Sequence, residues 1–279
     1  MKKVIICLAS ACLLSTAAMA QDMKLPSASP KISLTQQFAT SKIELEYSRP
    51  SMRGRKVFGE MIPYGKSWRT GANALTKITF GEDVIFGGQK VAAGAYSLYT
   101  IPGKDSWTVI LNSGLQSKGE QFFDAAKDVA KVTVKPVVSK ENYETFTIDL
   151  NDITSSSLTL NIRWENVKVP VKIVADNQEK IVAYLEKELK GSNPPYQAAA
   201  GYFNEVNYKL EDAITYADKT LAVNPNAFWI HSLKAQIYSK LGKKKEAIES
   251  AQKAATMTKG TDFEFEYAHK LDQLKKGAK

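Results

Sequence analysis

The hydrophobic pattern of this chain changes its period once, close to Ala175, and the change predicts the fold class. Upstream, apolar and polar residues alternate in short runs, as over residues 43–47, which is typical of strands that bury one face. Downstream, apolar residues recur at helical spacing, as over residues 181–189. We therefore predict a two-part protein, all-β and then all-α.

The β part is predicted over residues 41–175. Its short alternating runs are separated by Gly, Asn, Pro and Asp clusters, which favours an antiparallel β-sandwich, jelly-roll-like, over a parallel α/β fold. A helical insert is expected over residues 119–128. Residues 21–40 are polar and contain two prolines, so we expect a flexible lead there.

The α part, residues 176–279, contains an internal repeat. Asp-Ala-Ile at 212–214 recurs 34 residues later as Glu-Ala-Ile at 246–248, and alanines recur at the same spacing. Tetratricopeptide repeats have this period, and their small residues lie where paired helices approach closely. The predicted helical elements are a first helix at 177–190, tetratricopeptide-like repeats at 194–227 and 228–261, and a closing helix ending near 276.

Residues 1–20 have the pattern of a secretory signal peptide. A basic start is followed by an apolar run over residues 4–14 and by a small-residue cleavage site at 18–20. The apolar run is too short to cross a bilayer, and Cys7 and Cys12 lie inside it rather than at a lipoprotein cleavage site. We expect export to a bacterial periplasm, without a membrane span or a lipid anchor.

The composition excludes several kinds of chemistry. Both cysteines fall in the predicted signal peptide, so the remaining chain has no thiol for catalysis, disulfides or zinc. His231 and His269 both lie in the α part, which excludes a Ser-His-acid triad or a histidine-ligated metal from the β part. The net charge of +9 is spread along the chain, unlike the basic stripe of nucleic-acid-binding proteins. We expect no cofactor, no metal and no nucleic-acid partner.

Residues 49–73 contain four of the five arginines in the chain. The planar arginine fork binds carboxylate or phosphate through two hydrogen bonds and stacks on aromatic rings. The candidate ligand-binding residues of this arginine segment are Arg49, Arg55, Tyr64, Trp68, Arg69 and Asn73. Three interpretations stay open: arginines paired with Glu44, Glu46 or Glu60 for structure, binding of a small anion, and catalysis.

The arginine segment also resembles a known family. The similarity is carried by Tyr-Ser-Arg-Pro-Ser at 47–51, Gly-Arg at 54–55, Phe-Gly at 58–59, Pro-Tyr-Gly at 63–65, Trp-Arg-Thr-Gly-Ala-Asn at 68–73 and the run 94–102. Over residues 30–175 the chain is similar to the domain-of-unknown-function family 2911. The resemblance implies an exported, β-rich protein typical of Bacteroidetes-type bacteria, often with a helical repeat tail. It supplies no activity and no catalytic residues.

Together these features favour a non-catalytic binding protein of the bacterial envelope. It is expected to bind a protein or peptide through the helical tail, or a small polar ligand at the arginine segment. The candidate partner-binding residues are Asn204, His231 and Tyr238, expected on one concave face. The alternatives are a hydrolase-type enzyme that uses arginine, tyrosine and carboxylate groups, and a purely structural assembly module.

Overall fold

The structure is a computed structural model that describes residues 25–115 and 123–277, so the predicted signal peptide lies outside the described residues. The described chain divides into two compact units, one ending at Val174 and the other beginning at Ala175. We call them the β unit and the helical unit. Among the described residues, no helix combines the length and the apolar character that crossing a membrane requires.

The β unit is built from two antiparallel sheets. One sheet has the strand order β1-β2-β3-β6-β7-β8, and the other has the order β5-β4-β10-β9. The strands are β1 Lys31–Phe38, β2 Ser41–Ser48, β3 Lys77–Phe80, β4 Val84–Phe86, β5 Gln89–Val91, β6 Gly94–Ile101, β7 Trp107–Asn112, β8 Asp128–Val134, β9 Val137–Asn151 and β10 Ser157–Ala175.

The two sheets share one core because each has an apolar face. Alternate residues of the strands are fully buried, among them Ile43 of β2, Ile78 of β3 and Ile162 of β10. Tyr47 connects the sheets directly, because its hydroxyl donates to the backbone oxygen of Ile148 and accepts from the backbone nitrogen, each at 2.9 Å. The alternating pattern therefore identified the buried faces of both sheets.

The flexible lead predicted over residues 21–40 contains a strand, β1. Residues 31–38 pair along their whole length with β2, from Lys31 opposite Ser48 onwards. The sequence pattern missed this strand because Gln36 interrupts the apolar series and because an edge strand buries its inner face only in part. Only residues 25–30 of the described lead precede the sheet.

The helical insert predicted over residues 119–128 lies partly outside the described residues. Its described part is a single 3-10 turn at Ala125–Lys127. The carboxylate of Asp124 caps this turn by accepting from the backbone nitrogen of Ala126 at 3.0 Å. Asp128 already begins β8, so the prediction was wrong for this part.

The described part of the helical unit contains six α-helices. They are α1 Gln178–Glu188, α2 Tyr196–Glu205, α3 Leu210–Val223, α4 Phe228–Lys240, α5 Lys244–Met257 and α6 Glu264–Lys276. Fully buried alanines allow close packing: Ala200 of α2, Ala217 of α3 and Ala227 share a cluster with Ile230 of α4. Gly242, with φ of +73°, forms the turn between α4 and α5.

Candidate functional site

The arginine segment inserts two aromatic rings between the sheets. The ring of Trp68 stacks on Trp164 of β10, with centroids 5.9 Å apart, and meets the edge of Phe146 at 5.2 Å. The ring of Phe58 lies 4.9 Å from that of Trp107 of β7. Aromatic contacts of this kind add stability beyond the area that they bury. The segment therefore completes the core that the two sheets share.

Trp68 is held in this position by hydrogen bonds of its backbone and of its indole nitrogen. It exchanges two hydrogen bonds with Thr100 of β6, at 2.8 and 2.9 Å, and its indole nitrogen donates to the carbonyl of Gly71 at 3.1 Å. Only 3% of the residue is exposed. The ring packs against Trp164 and Phe146, and these contacts favour a core role for Trp68 over that of a stacking floor for a ligand.

Two arginines of the segment direct their forks at carbonyl and hydroxyl oxygens of the protein. Arg49 donates from Nε to the carbonyl of Phe146 at 3.2 Å and from Nη2 to the hydroxyl of Thr147 at 2.8 Å. Arg55 donates from Nε and Nη2 to two carbonyls of its own loop, at residues 51–52, both at 2.8 Å. These contacts favour the structural interpretation, because each fork already holds a loop in place.

The predicted carboxylate partners of the arginines are paired with lysines instead. The ion pairs are Glu44 with Lys42 at 2.7 Å, Glu46 with Lys31 at 2.6 Å and Glu60 with Lys56 at 3.8 Å. The hydrogen bond from Lys31 holds the pKa of Glu46 below its usual value. Glu44 and Glu46 lie in the middle of β2, and lysines on the same or the adjacent strand reach them first.

A carboxylate that the sequence analysis missed holds the middle of the arginine segment. Glu165 of β10 accepts hydrogen bonds from the backbone nitrogens of Val57 at 2.6 Å and Phe58 at 3.3 Å. Its φ is +50°, and the register between β9 and β10 shifts on both sides of it. The sequence does indicate an irregular strand at this point, because the apolar residues move from even to odd positions between Trp164 and Val167.

The other predicted ligand residues do not gather around an arginine. Tyr64 is 39% exposed and lies over Gly59, and Arg69 is half-buried. The amide of Asn73 donates to the carbonyl of Ser29 at 3.2 Å. Asn73 also lines a cavity of about 430 Å³, whose charged side chains come from lysines and Glu46 and not from arginines.

The predicted partner-binding residues lie on different sides of the helices. Asn204 of α2 is buried and donates through its side-chain amide to that of Gln236 of α4 at 3.2 Å. Tyr238 is two residues after Gln236 and therefore lies on nearly the opposite side of α4. The ammonium of Lys234 lies over its ring and pairs with Asp218 of α3. His231 precedes Tyr238 by two helical turns and shares its side. The prediction of one common concave face was therefore wrong.

The surroundings of His231 predict that the stability of the helical unit depends on pH. Burial, together with Lys253 and Lys234, lowers the pKa of His231 below its usual 6.5. Near and below pH 6.5 the unfolded chain therefore binds more protons at this residue than the folded chain does. The free energy of unfolding falls as the pH drops from about 6.5 through the lowered pKa. We expect His231→Gln to reduce the drop in melting temperature between pH 7.5 and pH 5.5, followed by helical circular dichroism.

The matched control for this prediction is His269→Gln. His269 is exposed on α6 and is hydrogen-bonded to Gln273 at 2.8 Å. This control should keep the pH dependence of the wild-type protein. An unchanged drop in melting temperature in His231→Gln would contradict the assignment.

A groove of about 560 Å³ lies between α4, α5 and α6. Its apolar surface comes from small and branched side chains, including Ala247, Ile248 and Leu274, and two glutamines add amide groups. Three lysines line it, namely Lys240, Lys244 and Lys270. Among the described residues that line the groove, none is acidic.

Lysines outnumber the acidic groups at this groove. The ammonium of Lys240 donates to the carbonyl of Asn204 at the end of α2. That of Lys270 pairs with Glu266 of α6 at 2.5 Å and lies 4.6 Å from the ring centre of Tyr267. Lys244 is exposed at the start of α5, within a run of lysines at 243–245. This run is visible in the sequence, where lysines beside an alanine-rich helical hairpin indicate a cationic surface.

The comparisons with known proteins agree with the resemblance carried by the arginine segment. A family model described as a protein of unknown function (DUF2911) matches residues 29–173, which include the arginine segment, strands β1 to β9 and most of β10. No curated protein and no solved structure matches the chain. Since the match covers more than half of the sequence and contains the segment that completes the core, the protein belongs to the DUF2911 family.

Proposed function

We propose that this protein is a non-catalytic binding protein and that its helical unit binds an acidic segment of a partner protein. The observation that carries the proposal is the groove between α4, α5 and α6, which combines an apolar surface with three lysines. The β unit then acts as a jelly-roll-like sandwich to which the binding unit is joined.

The arrangement of the helices supports a tetratricopeptide-like repeat unit. Helices α3 and α5 begin at Leu210 and Lys244, which are 34 residues apart and match the period of the sequence repeat. Helical repeats of this kind stack into surfaces that bind extended or helical peptides. The groove is formed by the second predicted helix pair and the closing helix.

Charge determines which peptide fits the groove. The lysines attract carboxylates, and the described residues that line the groove include no acidic side chain. Lys270 is already paired with Glu266, so Lys240 and Lys244 supply most of this attraction. An apolar side chain of the peptide can contact Ile248 and Leu274 and remove them from water. The preferred partner segment is therefore acidic with interspersed apolar residues.

The expected location is the bacterial periplasm. The basic start, apolar run and cleavage site within residues 1–20 support export. An exported binding protein without a thiol suits an oxidising compartment, because none of its side chains outside residues 1–20 can form a disulfide.

We expect the double variant Lys244→Glu/Lys270→Glu to bind an acidic probe at least about tenfold more weakly than the wild-type protein. The probe is a fluorescently labelled peptide of alternating glutamate and leucine, and binding is measured by anisotropy at physiological salt. A lysine-leucine peptide of the same length serves as the reversed-charge probe and should bind the wild-type protein weakly.

The control variant Lys187→Glu/Lys259→Glu makes the same change in net charge at two exposed lysines outside the groove lining. It should bind the acidic probe almost as tightly as the wild-type protein does. Ile248→Gln should weaken binding without changing the charge, because Ile248 is part of the apolar surface. Equal losses in the groove and control variants would reject the groove as the binding site.

A further inference from the structure

Of the four sheet edges formed by residues 25–115 and 123–277, three carry a feature that blocks the addition of another strand. At β8, the side-chain amide of Gln89 donates to the carbonyl of Lys131 at 2.8 Å and accepts from its backbone nitrogen at 2.9 Å, as a neighbouring strand would. The neighbouring edge β5 is only three residues long. Short and covered edges of this kind prevent edge-to-edge association.

The edge of β9 is covered by the arginine segment. Phe146 donates from its backbone nitrogen to the carbonyl of Pro50 at 2.9 Å, and Met52 donates to the carbonyl of Glu144 at the same distance. The exposed start of β9 carries charged residues at 140–141. Charged residues on an edge oppose pairing with a second strand.

The edge of β1 is neither short nor, among the described residues, covered by another segment. The side-chain amide of Gln36 donates to the carbonyl of Gln37 at 3.0 Å, so a second strand would replace this contact there. Among the described residues, β1 lies at the end of its sheet and pairs with β2 alone, in a regular register of eight residues. Between Ile32 and Phe38 it contains no charge, no proline and no bulge. Ile32 and Leu34 are only partly buried, so apolar surface remains exposed along this edge. Such a strand is a template for pairing with another chain.

The backbone groups that point out of the sheet can be identified. The carbonyl of Pro30 accepts from the backbone nitrogen of Arg49 at 2.9 Å, so the even-numbered residues of this strand direct their backbone groups at β2. The odd-numbered residues Ser33, Thr35 and Gln37 therefore direct their N–H and C=O groups away from the sheet. All three are exposed.

We propose that β1 is the interface of a homodimer, in which β1 pairs antiparallel with β1 of a second copy of this chain. A two-fold axis at Thr35 places the three outward-facing residues opposite one another: Thr35 opposite Thr35 of the second copy, and Ser33 opposite Gln37 of the second copy. The odd-numbered residues then form hydrogen-bonded pairs across the axis. The two six-stranded sheets become one continuous sheet.

The strand is complementary to itself, as a two-fold interface requires. In this register Ile32 lies opposite Phe38 of the second copy, so apolar groups meet at both ends of the paired stretch on the inner face. Leu34 lies opposite Gln36 of the second copy. Lys31 falls beyond the paired stretch, opposite Ala39 of the second copy, and no like charges meet. A strand without charges gives no basis for selecting a different partner, whereas two identical strands fit by symmetry.

The test is Thr35→Pro with Thr35→Val as its matched control. Proline removes the outward N–H of residue 35 without removing a bond to β2, and an edge strand tolerates it when the N–H faces solvent. Valine keeps the N–H and nearly the same shape. Association of the purified protein is measured by sedimentation equilibrium up to about 100 µM, a concentration that populates a dimer with a micromolar dissociation constant.

We expect the wild-type protein to dimerise and Thr35→Pro to raise the dissociation constant about tenfold or more. Thr35→Val should stay within about threefold of the wild-type value. A wild-type protein that remains monomeric at the highest concentration overturns the proposal. So does a Thr35→Pro variant that dimerises as tightly as Thr35→Val.

Hydrogen exchange provides a second measurement that requires no variant. The amides of Ser33, Thr35 and Gln37 should exchange more slowly as the concentration of the wild-type protein rises, because they become hydrogen-bonded only in the dimer. The amides of Leu34 and Gln36, bonded within each copy, should not change. Concentration-independent exchange at the three odd-numbered residues overturns the proposal, even if Thr35→Pro does not fold.

Discussion

Replacing Trp68 with alanine is expected to lower the free energy of unfolding of the β unit by about 3–5 kcal/mol. The ring is almost fully buried and contacts aromatic side chains of β9 and β10 and the ring of Phe58. Its removal leaves a cavity that neighbouring rings, each held by its own strand, cannot readily fill. The effect can be measured by denaturant unfolding followed by circular dichroism.

Val138→Ala is the control, because Val138 of β9 belongs to the same unit and is 72% exposed. The expected loss there is below about 1 kcal/mol, since little apolar area is returned to water. If Trp68→Ala costs no more than Val138→Ala, Trp68 does not belong to the core. The ligand-stacking role would then have to be considered again.

Glu165→Ala is expected to lower the free energy of unfolding of the β unit by about 2–3 kcal/mol. The substitution removes the acceptor of two backbone N–H groups, at Val57 and Phe58, and both of these residues are buried. Water cannot easily replace a carboxylate there, so the donors are left unpaired. Glu165→Gln should cost about 1 kcal/mol, because the amide keeps one acceptor oxygen.

Glu60→Ala provides the control for Glu165. Glu60 is exposed in the same segment and pairs only with Lys56, at 3.8 Å, so the expected change is within about 0.5 kcal/mol. Faster hydrogen exchange at the amides of residues 57 and 58 should accompany the loss in Glu165→Ala. Normal exchange at these amides would show that another group accepts their hydrogen bonds.

Much of the fold could be predicted from the sequence, because both units display their periodicity. Strands that bury one face completely, such as β2, alternate clearly, and the helices follow the spacing of their buried alanines. Strand β1 was missed because its inner face contains Gln36 and is only partly buried. Tertiary pairing, rather than hydrophobicity, makes these residues a strand.

The position of the arginine segment could be predicted, but its contacts could not. The partners of Arg49 are a carbonyl and a hydroxyl of β9, and every residue in the chain has a backbone carbonyl, so composition gives no hint of such a partner. Glu165 is far away in sequence, and only the slip in the apolar series beside it pointed to a bulge. The groove was missed because its lysines come from three helices whose packing the sequence does not specify.

The contacts of the arginine segment also have a consequence for how the chain acquires its structure. Arg49 bonds to a residue 97 positions later, and Val57 to one 108 positions later. Tyr47, just before the segment, bonds to a residue 101 positions later. Closing loops of this length is entropically costly and slows folding. As the chain is made from its N-terminus, the segment must wait with its aromatic residues exposed until β9 and β10 have been synthesised. The part of the sequence that identifies the family is therefore among the last parts of the β unit to become native.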